Sequence, residues 1–208
     1  MTTVADNNPR AGLRGPDKFE ARRIELATAT LLTLAELGYA RTSLREIAQN
    51  SAFSHGVLHY YFTDKLDLIA QAVRIYEDVC VTRYDEVVAV ASTADQLRDE
   101  FATMFFATLE SDSALHRLWY DLRNQTLFES SFREDVREIE SRREEMTWRV
   151  VARFCELSGI APRFSSNMAY VIIDGIFQRA LMSLLSDGDD QLTSSRDQLA
   201  EAFDFFAR

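Results

Sequence analysis

Apolar residues recur every three to four positions along most of this chain, and the stretches between turn signals are long. In the first such stretch, residues 19–37, Ile24, Ala27, Leu31 and Leu34 fall on one face of a helix. The 208 residues include only seven glycines and three prolines, so few positions interrupt a helix. The pattern therefore predicts a largely helical chain.

Two short helices are predicted directly after this first long one. Gly38 is a natural stop, because glycine accepts the left-handed conformation found just past a helix C-terminus. Ser43 and Glu46 have the spacing of a capping box, which begins the first short helix. Ser54 is an N-cap candidate for the second, which runs to about Tyr61. A packing helix followed by two short helices and a tight turn is a helix-turn-helix unit.

The rest of the chain repeats the helical pattern and contains no convincing strand. Asp64 begins a long helix that we expect to continue into the region of Val87 to Ala91. Further helices are bounded by Ser or Thr caps and by glycine or proline stops. We therefore predict an all-α chain of about nine helices. Its predicted parts are a flexible tail at 1–16, a helix-turn-helix domain at 17–63 and a larger helical domain at 64–208.

Composition places the chain among globular proteins. Hydrophobic residues make up 47% of it and charged residues 27%. We find no run of about 18 apolar residues that would predict a membrane span, and the polar N-terminus lacks the apolar core of a signal peptide. We therefore expect a cytoplasmic protein without a membrane partner. Cys80 and Cys155 are isolated, which favours reduced, buried thiols.

The net charge of −10 is unevenly distributed. Residues 1–65 carry eight basic and seven acidic side chains, whereas residues 66–208 carry fifteen and twenty-six. Attraction to phosphate depends on nearby basic groups rather than on the total charge. The N-terminal third is therefore the credible place for a nucleic acid. The run Arg133 to Glu145 is dense in both signs, which is typical of a solvated helix face.

The residues from Thr42 to Ile69 strongly resemble the DNA-binding segment of TetR-family regulators. The family pattern is a Thr-rich start, an Ile-Ala pair, a turn, a Ser-x-Gly-x-Leu recognition helix, a Tyr-x-Phe exit and a following Lys. The total length and the number of helices also fit the family. In this chain the corresponding residues are Thr42, Ser43, Ile47, Ala48, Ser54, Gly56, Leu58, Tyr60, Tyr61, Phe62 and Lys65.

Three residues depart from the family pattern. The turn usually carries glycine where this chain has Ala52, so a left-handed conformation there would cost about 1 kcal/mol. His55 and His59 replace the residues usually found after the serine and near the end of the recognition helix. These departures concern which bases are contacted rather than the ability to bind DNA.

The resemblance implies that the second short helix enters the major groove of DNA. In such units the N-terminal residues of the recognition helix reach base edges, while flanking elements bind phosphate. We assign Ser54, His55 and His59 to base edges, and Gly56 to close approach of the DNA. We also expect one of the two adjacent tyrosines to be partly buried. The predicted phosphate contacts are Thr42, Ser43, Arg45, Tyr60, Tyr61 and Lys65.

Aromatic side chains, mixed with a few polar ones, are frequent in the middle of the chain. By their spacing they are mostly helix core. The resemblance implies that some of them form the wall of a cavity for a small-molecule effector, in which polar groups would orient the ligand. The predicted ligand-binding residues are Phe101, Phe105, Trp119, Tyr120, Arg123, Phe128, Trp148, Asp174, Phe177 and Gln178.

The last two helices are more apolar than one buried face requires. Residues 170–185 are apolar nearly all round, which implies a second buried surface. In the TetR family that surface is a four-helix dimer interface, and a twofold dimer matches a pseudo-palindromic operator. The predicted interface residues are Val171, Ile172, Leu181, Leu184, Leu199, Phe203 and Phe206.

Catalytic and metal-binding patterns are weak in this sequence. His55 and His59 have the i,i+4 spacing of a helical metal site, but no Glu or Cys completes one. His116 stands alone, and we interpret it as a surface or hydrogen-bonded histidine. The sequence has no glycine-rich nucleotide loop and no Gly-x-Ser-x-Gly motif. We therefore predict no metal, no cofactor and no enzyme activity.

The sequence thus predicts a homodimeric transcriptional repressor that leaves its DNA operator when a small molecule binds the C-terminal domain. Two alternatives stay open at this point. One is a cytosolic helical ligand-binding protein or enzyme whose DNA motif is non-functional. The other keeps DNA binding and makes the protein an activator.

Overall fold

The computed structural model describes residues 15–38, 42–187 and 192–207. Within these ranges the chain is helical and has no strand, which confirms the all-α prediction. The predicted tail lies outside the described residues up to position 14, and Gly15 already belongs to a helix. The described helices are α1 (Gly15–Leu37), α2 (Leu44–Gln49), α3 (His55–Tyr61), α4 (Lys65–Cys80), α5 (Asp85–Val90), α6 (Ala94–Ser111), α7 (Ser113–Gln125), α8 (Arg133–Leu157), α9 (Ser166–Asp187) and α10 (Leu192–Phe206).

The caps predicted for the first three helices are present. Gly38 ends α1 with a φ of +73°, in the left-handed region. The Ser43 hydroxyl accepts a hydrogen bond from the Glu46 backbone N–H at 3.2 Å and donates one to the Glu46 carboxylate at 2.8 Å. The Ser54 hydroxyl accepts from the Val57 N–H at 3.3 Å and so begins α3. Both serine N-caps are therefore confirmed, but the Glu46 carboxylate accepts from the Ser43 hydroxyl and not from the Ser43 backbone N–H that a capping box requires.

The buried face of α1 only partly overlaps the predicted one. Ala27 and Leu34 are buried as expected, but Ile24 is 43% exposed, and Leu26 is fully buried in its place. The prediction for Ile24 is therefore wrong. An apolar residue lies on either side of the actual core face, so spacing alone left two neighbouring registers nearly equivalent.

The helix that follows the helix-turn-helix is shorter than expected. It ends at Cys80, and a turn at 81–84 precedes the short helix α5, which gives ten helices in the described residues instead of about nine. Tyr84 explains the interruption: it is buried in this turn, and its ring centroid lies 4.6 Å from that of Phe101 in α6. Tertiary packing thus overrides the continuous helical pattern of the sequence.

Residue contacts divide the chain into two compact units, 1–75 and 76–208. The sequence placed the boundary between 63 and 64, ahead of α4. The structure places it within α4, because Asp67 in the first turns of α4 makes an ion pair with Arg23 of α1 at 2.6 Å. The first unit therefore contains the three N-terminal helices and most of α4.

The second unit is built around α9, which packs against both α8 and α10. Its core is rich in phenylalanine, and Phe101, Phe154 and Phe206 surround Phe203 with ring centroids 4.8 to 6.0 Å apart. Both cysteines are buried free thiols, as the sequence predicted. Burial raises the pKa of Cys80 to about 11, so this thiol is an unreactive part of the packing.

The segment Ser166–Ser186 of α9 is long and apolar enough to cross a membrane by length and composition, a test that core helices also pass. It carries Asp174, which makes an ion pair with Arg123 at 2.6 Å, and Gln178 one turn later. Only 28% of the segment's most apolar window is buried within the protomer. Its charged and polar residues and its packing on two other helices fit a helix of a globular domain.

Candidate functional site

The recognition-helix candidate α3 presents its polar face outward. His55, Gly56 and His59 are exposed, and only Leu58 is buried. The imidazole centroids of His55 and His59 lie 4.3 Å apart, so the two rings form one continuous surface. A Cβ built on Gly56 would meet no atom within 4 Å, so the protein's own packing does not require glycine there. This geometry suits close approach of a partner from outside.

The predicted phosphate-binding residues differ in their exposure to solvent. Arg45 is exposed and Tyr60 is 71% exposed, so both are available to a partner. Tyr61 is half-buried and packs on Phe19 with ring centroids 4.9 Å apart, which confirms that one tyrosine is partly buried. Lys65 is half-buried at the first position of α4.

The prediction that Thr42 contacts phosphate is wrong. Its side chain is only 4% exposed, and its hydroxyl donates to the Gly38 carbonyl. It therefore joins the end of α1 to the start of α2 instead of facing DNA. Ser43 is exposed, but its hydroxyl proton is directed to the Glu46 carboxylate, so a phosphate would have to compete with that carboxylate.

The turn between α2 and α3 is unstrained. Among the described residues, positive φ occurs only at glycines, so Ala52 is not left-handed. The prediction of backbone strain at Ala52 is therefore wrong. Because this turn does not use the left-handed conformation, alanine costs nothing there.

Arg23 of α1 fixes the exit of the recognition helix. Its guanidinium donates to the Tyr61 carbonyl at 2.9 Å and to the Asp67 carboxylate at 2.6 Å, and it lies 4.9 Å from the Phe62 ring centroid. Burial would raise the pKa of Asp67, but the hydrogen bonds from Arg23 and from the Thr63 backbone lower it below its usual value. This clamp ties α1, the end of α3 and the start of α4 together.

A cavity lies inside the C-terminal unit, between α6, α7, α8, α9 and the turn after α4. The cavity volume is about 50 Å³, and the whole space between its walls, including solvent at its open side, is about 530 Å³. The lining is largely aromatic and aliphatic, with a few charged groups. The lining residues are Cys80, Arg83, Tyr84, Phe101, Phe105, Thr108, His116, Tyr120, Arg143, Met146, Thr147, Tyr170, Ile173, Asp174 and Phe177.

Half of the predicted ligand-binding residues line this cavity: Phe101, Phe105, Tyr120, Asp174 and Phe177. Because they come from α6, α7 and α9, and α9 is about 40 residues beyond α7, the fold is what brings them together. Tyr120 donates from its hydroxyl to the Asp174 carboxylate at 2.8 Å. These two residues thus form one polar corner of an otherwise apolar wall.

The other five predicted residues are not in the cavity wall. Phe128 is 83% exposed beyond the end of α7, so its assignment was wrong. Trp119 is fully buried one position from the wall, with the Arg143 guanidinium 4.4 Å from its ring centroid. Arg123 lies behind the wall and pairs with Asp174. Trp148 and Gln178 are partly exposed and do not line the cavity.

The location of His116 also differs from the prediction. The sequence suggested a surface or fully hydrogen-bonded histidine, but the ring is 3% exposed and lines the cavity. Its Nε2 lies 3.3 Å from the Thr108 hydroxyl oxygen, whereas its Nδ1 has no hydrogen-bond partner among the described residues. Burial, followed by the nearby guanidiniums of Arg143 and Arg83, lowers the pKa of His116 to about 3. The imidazole is therefore neutral.

Arg143 was also missed, because it lies in the charge-dense run that predicted a solvated helix face. It is buried, and its guanidinium donates to the Glu77 carboxylate of α4 with one bond of 2.8 Å and a second, shorter one. The signal in the sequence was its spacing: Arg143 and Thr147 lie one turn apart on α8, and both line the cavity.

The end of α4 and the turn after it make several contacts with α8 and α6. Arg142 pairs with Asp78 at 2.7 Å, and Arg149 donates to the Val81 carbonyl at 2.5 Å. The Arg83 guanidinium pairs with Asp112 at 2.8 Å. Since Cys80 and Arg83 also line the cavity, these contacts connect the cavity wall to the last turn of α4.

The predicted dimer surface needs a partial correction. Leu181, Leu199, Phe203 and Phe206 are buried within the protomer, so these four cannot form an interface. These apolar side chains belong to the core of the protomer. Ile172 and Leu184 are half-buried, and Val171 is 56% exposed. The exposed apolar residues on α9 are Met168, Val171, Met182 and Leu185.

The helix-turn-helix and its exposed α3 define the class of this chain as a DNA-binding regulator. Residues 26–72 match the family model for bacterial regulatory proteins of the tetR family. That segment extends from within α1 into α4 and includes all of α2 and α3. The chain is thus similar to TetR-family transcriptional regulators, in this segment and through BetI over most of its length.

Relatives support this assignment over most of the chain. It is 28% identical over 178 residues to the HTH-type transcriptional regulator BetI of Paraburkholderia phymatum, which covers 84% of this chain and 86% of that protein. BetI of Burkholderia mallei is 26% identical over 202 residues, which cover 90% of this chain and 99% of that protein.

Solved structures show the same fold at lower identity. A TetR transcription regulator from Haloarcula marismortui aligns with a TM-score of 0.69 and 20% identity, covering 90% of this chain and all of that one. FadR of Bacillus subtilis, solved in complex with stearoyl-CoA, aligns with a TM-score of 0.61 and 17% identity, covering 90% and 97%.

Proposed function

We propose that this regulator is a homodimeric repressor that binds a pseudo-palindromic operator in the bacterial cytoplasm and leaves it when a small molecule occupies the C-terminal cavity. The observation that carries the proposal is the position of the cavity at the end of α4. This helix begins directly after the DNA-binding unit, at Lys65, and its last residue, Cys80, lines the cavity.

DNA contact is assigned to the exposed surface of α3 and its flanks. His55 and His59 would read base edges, with Gly56 allowing close approach. Arg45, Tyr60 and Lys65 would bind phosphate, a role that fits their positions around α3. Thr42 is not part of this surface.

Ligand binding would act on α4 through the residues that the cavity and α4 share. A molecule that presses on Arg83 or Arg143 changes the groups that pair with Asp112 and Glu77. The ligand can shift the DNA-binding equilibrium only by its difference in affinity for the two states, typically about 1–3 kcal/mol. The stearoyl-CoA complex of FadR supports the idea that a TetR-like fold holds a small molecule.

Dimerisation would use the outer face of α9. Four apolar side chains are exposed on α9. Exposed apolar residues that form a patch mark a protein–protein interface. Two recognition helices must lie about 34 Å apart to enter successive major grooves. A ligand-driven change of that spacing by a few ångströms would abolish simultaneous binding of the two half-sites.

The direct test is a gel-retardation and footprinting experiment with the wild-type protein and the DNA upstream of its own gene. We expect a protected site with twofold symmetry, and higher reporter expression when the gene is deleted. A variant with both His55 and His59 replaced by alanine serves as control, with folding checked by circular dichroism. The proposal fails if no fragment is specifically retarded, and lower reporter expression on deletion would make the protein an activator.

A further inference from the structure

The buried imidazole of His116 offers one specific polar contact inside the cavity. Its Nε2 faces two hydroxyl oxygens, that of Thr108 at 3.3 Å and that of Tyr76 at 3.5 Å. Its Nδ1 is buried without a hydrogen-bond partner among the described residues. Buried polar atoms of this kind are rare in native proteins and call for an explanation.

The neighbouring hydrogen bonds determine which nitrogen carries the proton. Asp112 Oδ2 lies 3.2 Å from the Tyr76 hydroxyl and 3.3 Å from the Thr108 hydroxyl, and a carboxylate can only accept. We assign both hydroxyl protons to Asp112, the charged acceptor that both oxygens face. With this assignment, the facing Nε2 carries the ring proton and donates it to one of these oxygens. In a neutral imidazole this leaves Nδ1 as a bare acceptor.

The charged groups of the cavity wall are neutralised by partners within the protein. Arg83 pairs with Asp112 at 2.8 Å, and Arg143 pairs with Glu77. Asp174 pairs with Arg123 at 2.6 Å and also accepts from Tyr120. A charged ligand would have to break one of these pairs or lie unpaired in a largely apolar wall, and either event is costly.

We infer that the cavity, once its walls move apart, takes a small, uncharged and mainly apolar molecule, and that a hydroxyl or N–H group of this ligand donates a hydrogen bond to Nδ1 of His116, which the unliganded structure buries. This inference rests on the proposed function and deepens it by naming the effector class. The aromatic lining accommodates the apolar body, and the unpaired acceptor at Nδ1 selects ligands that carry a donor. The cavity volume of about 50 Å³ is smaller than the roughly 150 Å³ that holds benzene in an engineered protein cavity, so the walls must move apart to admit even one ring.

The test uses the full-length protein and four probes of similar size. Benzyl alcohol and anisole are isomers, but only the alcohol can donate a hydrogen bond. Benzoate and benzylammonium add a negative and a positive charge to the same ring. Affinities are measured by isothermal titration calorimetry and ligand-observed NMR, on wild type, His116→Phe and His116→Asn. Phenylalanine removes the acceptor and keeps a ring, whereas asparagine can place an amide oxygen near the position of Nδ1.

We expect wild type to bind benzyl alcohol more tightly than either charged probe. Replacement by phenylalanine should lower the affinity ratio of benzyl alcohol to anisole about fivefold, as expected for one hydrogen bond. His116→Asn should restore part of that ratio. If phenylalanine leaves the ratio unchanged, if a charged probe binds best, or if wild type shows no saturable binding of benzyl alcohol at millimolar concentration, the inference is wrong.

Gel retardation without ligand separates this inference from the proposed function. Because His116 lies in the C-terminal unit, both variants should still retard the operator. If they retard DNA but the alcohol preference is absent, only the effector class is wrong. If wild type fails to retard any DNA while the alcohol preference is present, the proposed function fails and the ligand contact stands.

Discussion

Arg143 of α8 and Glu77 of α4 form a buried ion pair joined by two hydrogen bonds. The Glu77 side chain is completely buried, that of Arg143 is 9% exposed, and the guanidinium also lies 4.4 Å from the centroid of the Trp119 ring. Burial lowers the pKa of Arg143, but the charge and the hydrogen bonds of Glu77 outweigh this and raise it above its usual value. The pair therefore stays charged and connects the last turn of α4 to the cavity wall.

Removing one partner of this pair should be strongly destabilising. Arg143→Met leaves the Glu77 carboxylate buried and unpaired, and we expect a loss of about 3–5 kcal/mol in the free energy of unfolding. The double variant Glu77→Leu/Arg143→Met removes both charges and should recover most of that loss. Urea denaturation followed by circular dichroism measures both values.

The neighbouring pair of Arg142 and Asp78 is the matched control. Its distance is 2.7 Å, but the Asp78 side chain is 67% exposed, so Asp78→Ala should change stability by no more than about 1 kcal/mol. Equal losses for the buried and the exposed single variants would contradict the assigned burial of Glu77. Failure of the double variant to recover would show that the pair itself supports the packing.

The DNA-binding unit was largely predictable because its determinants are local. The capping serines, the stop at Gly38 and the spacing of Leu58 and Phe62 each act within one or two helical turns. The prediction failed for Thr42, whose hydroxyl was assigned to phosphate but bonds to the preceding helix end. A sequence pattern shows the residue type but not which of two nearby acceptors the hydroxyl chooses.

The cavity was predictable only in part because it depends on long-range packing. Phe101, Phe105 and Phe177 share the ordinary spacing of core residues, and only the arrangement of the helices places them at a cavity. Arg143 was hidden by its charged neighbours, and its partner Glu77 lies 66 positions away. Leu199 and Phe203 were misassigned to the dimer interface because burial within a protomer and burial between protomers require the same apolar residues.

The neutral His116 should make the protein sensitive to acid. Its folded pKa of about 3 is below the unfolded value of 6.5, so the unfolded state binds an additional proton between these values. Stability is therefore complete above pH 6.5 and falls by about 1.4 kcal/mol per pH unit below it. His116→Phe should lack this contribution. The measurement is urea denaturation of both proteins between pH 7 and pH 5, above the range where most carboxylates titrate.

Wild type and His116→Phe should thus differ in the slope of the free energy of unfolding against pH, and not only in its absolute value. Identical pH slopes would contradict a buried, neutral His116 in the native state. The exposed His55 and His59 are present in both proteins and do not contribute to the difference between them.

Mutations of base-contacting residues and of phosphate-contacting residues should affect DNA binding in different ways. His55→Ala and His59→Ala should alter the preference among operator sequences, since each lost base contact costs about 1–3 kcal/mol at its own position. Lys65→Ala should weaken all sequences alike and reduce the slope of log affinity against log salt by about 0.9. Fluorescence anisotropy with an operator and with scrambled DNA over a salt series measures both effects.

Arg117→Ala is the charge-matched control for the lysine variant. Arg117 is exposed on α7 in the C-terminal unit, so its removal changes the net charge equally but should leave the salt slope unchanged. If Arg117→Ala and Lys65→Ala reduce the slope equally, the effect reflects total charge, and Lys65 is not a phosphate contact.

The outer face of α9 should control the oligomeric state. Met182 is 62% exposed in the protomer, whereas Leu127, between α7 and α8, is 74% exposed. A charge at Met182 would be buried in the proposed interface without a partner, so Met182→Glu should convert dimers to monomers. Leu127→Glu introduces the same charge at a site outside α9 and should leave the dimer intact. Sedimentation velocity measures the mass of both variants, and circular dichroism verifies their helix content.

DNA binding provides the second readout of this comparison. Because one recognition helix contacts only one half-site, a monomeric Met182→Glu variant should lose specific retardation at concentrations where Leu127→Glu retains it. A fully dimeric Met182→Glu would place the interface elsewhere on the molecule. A monomer with unchanged operator affinity would keep the interface but contradict the requirement for two half-sites.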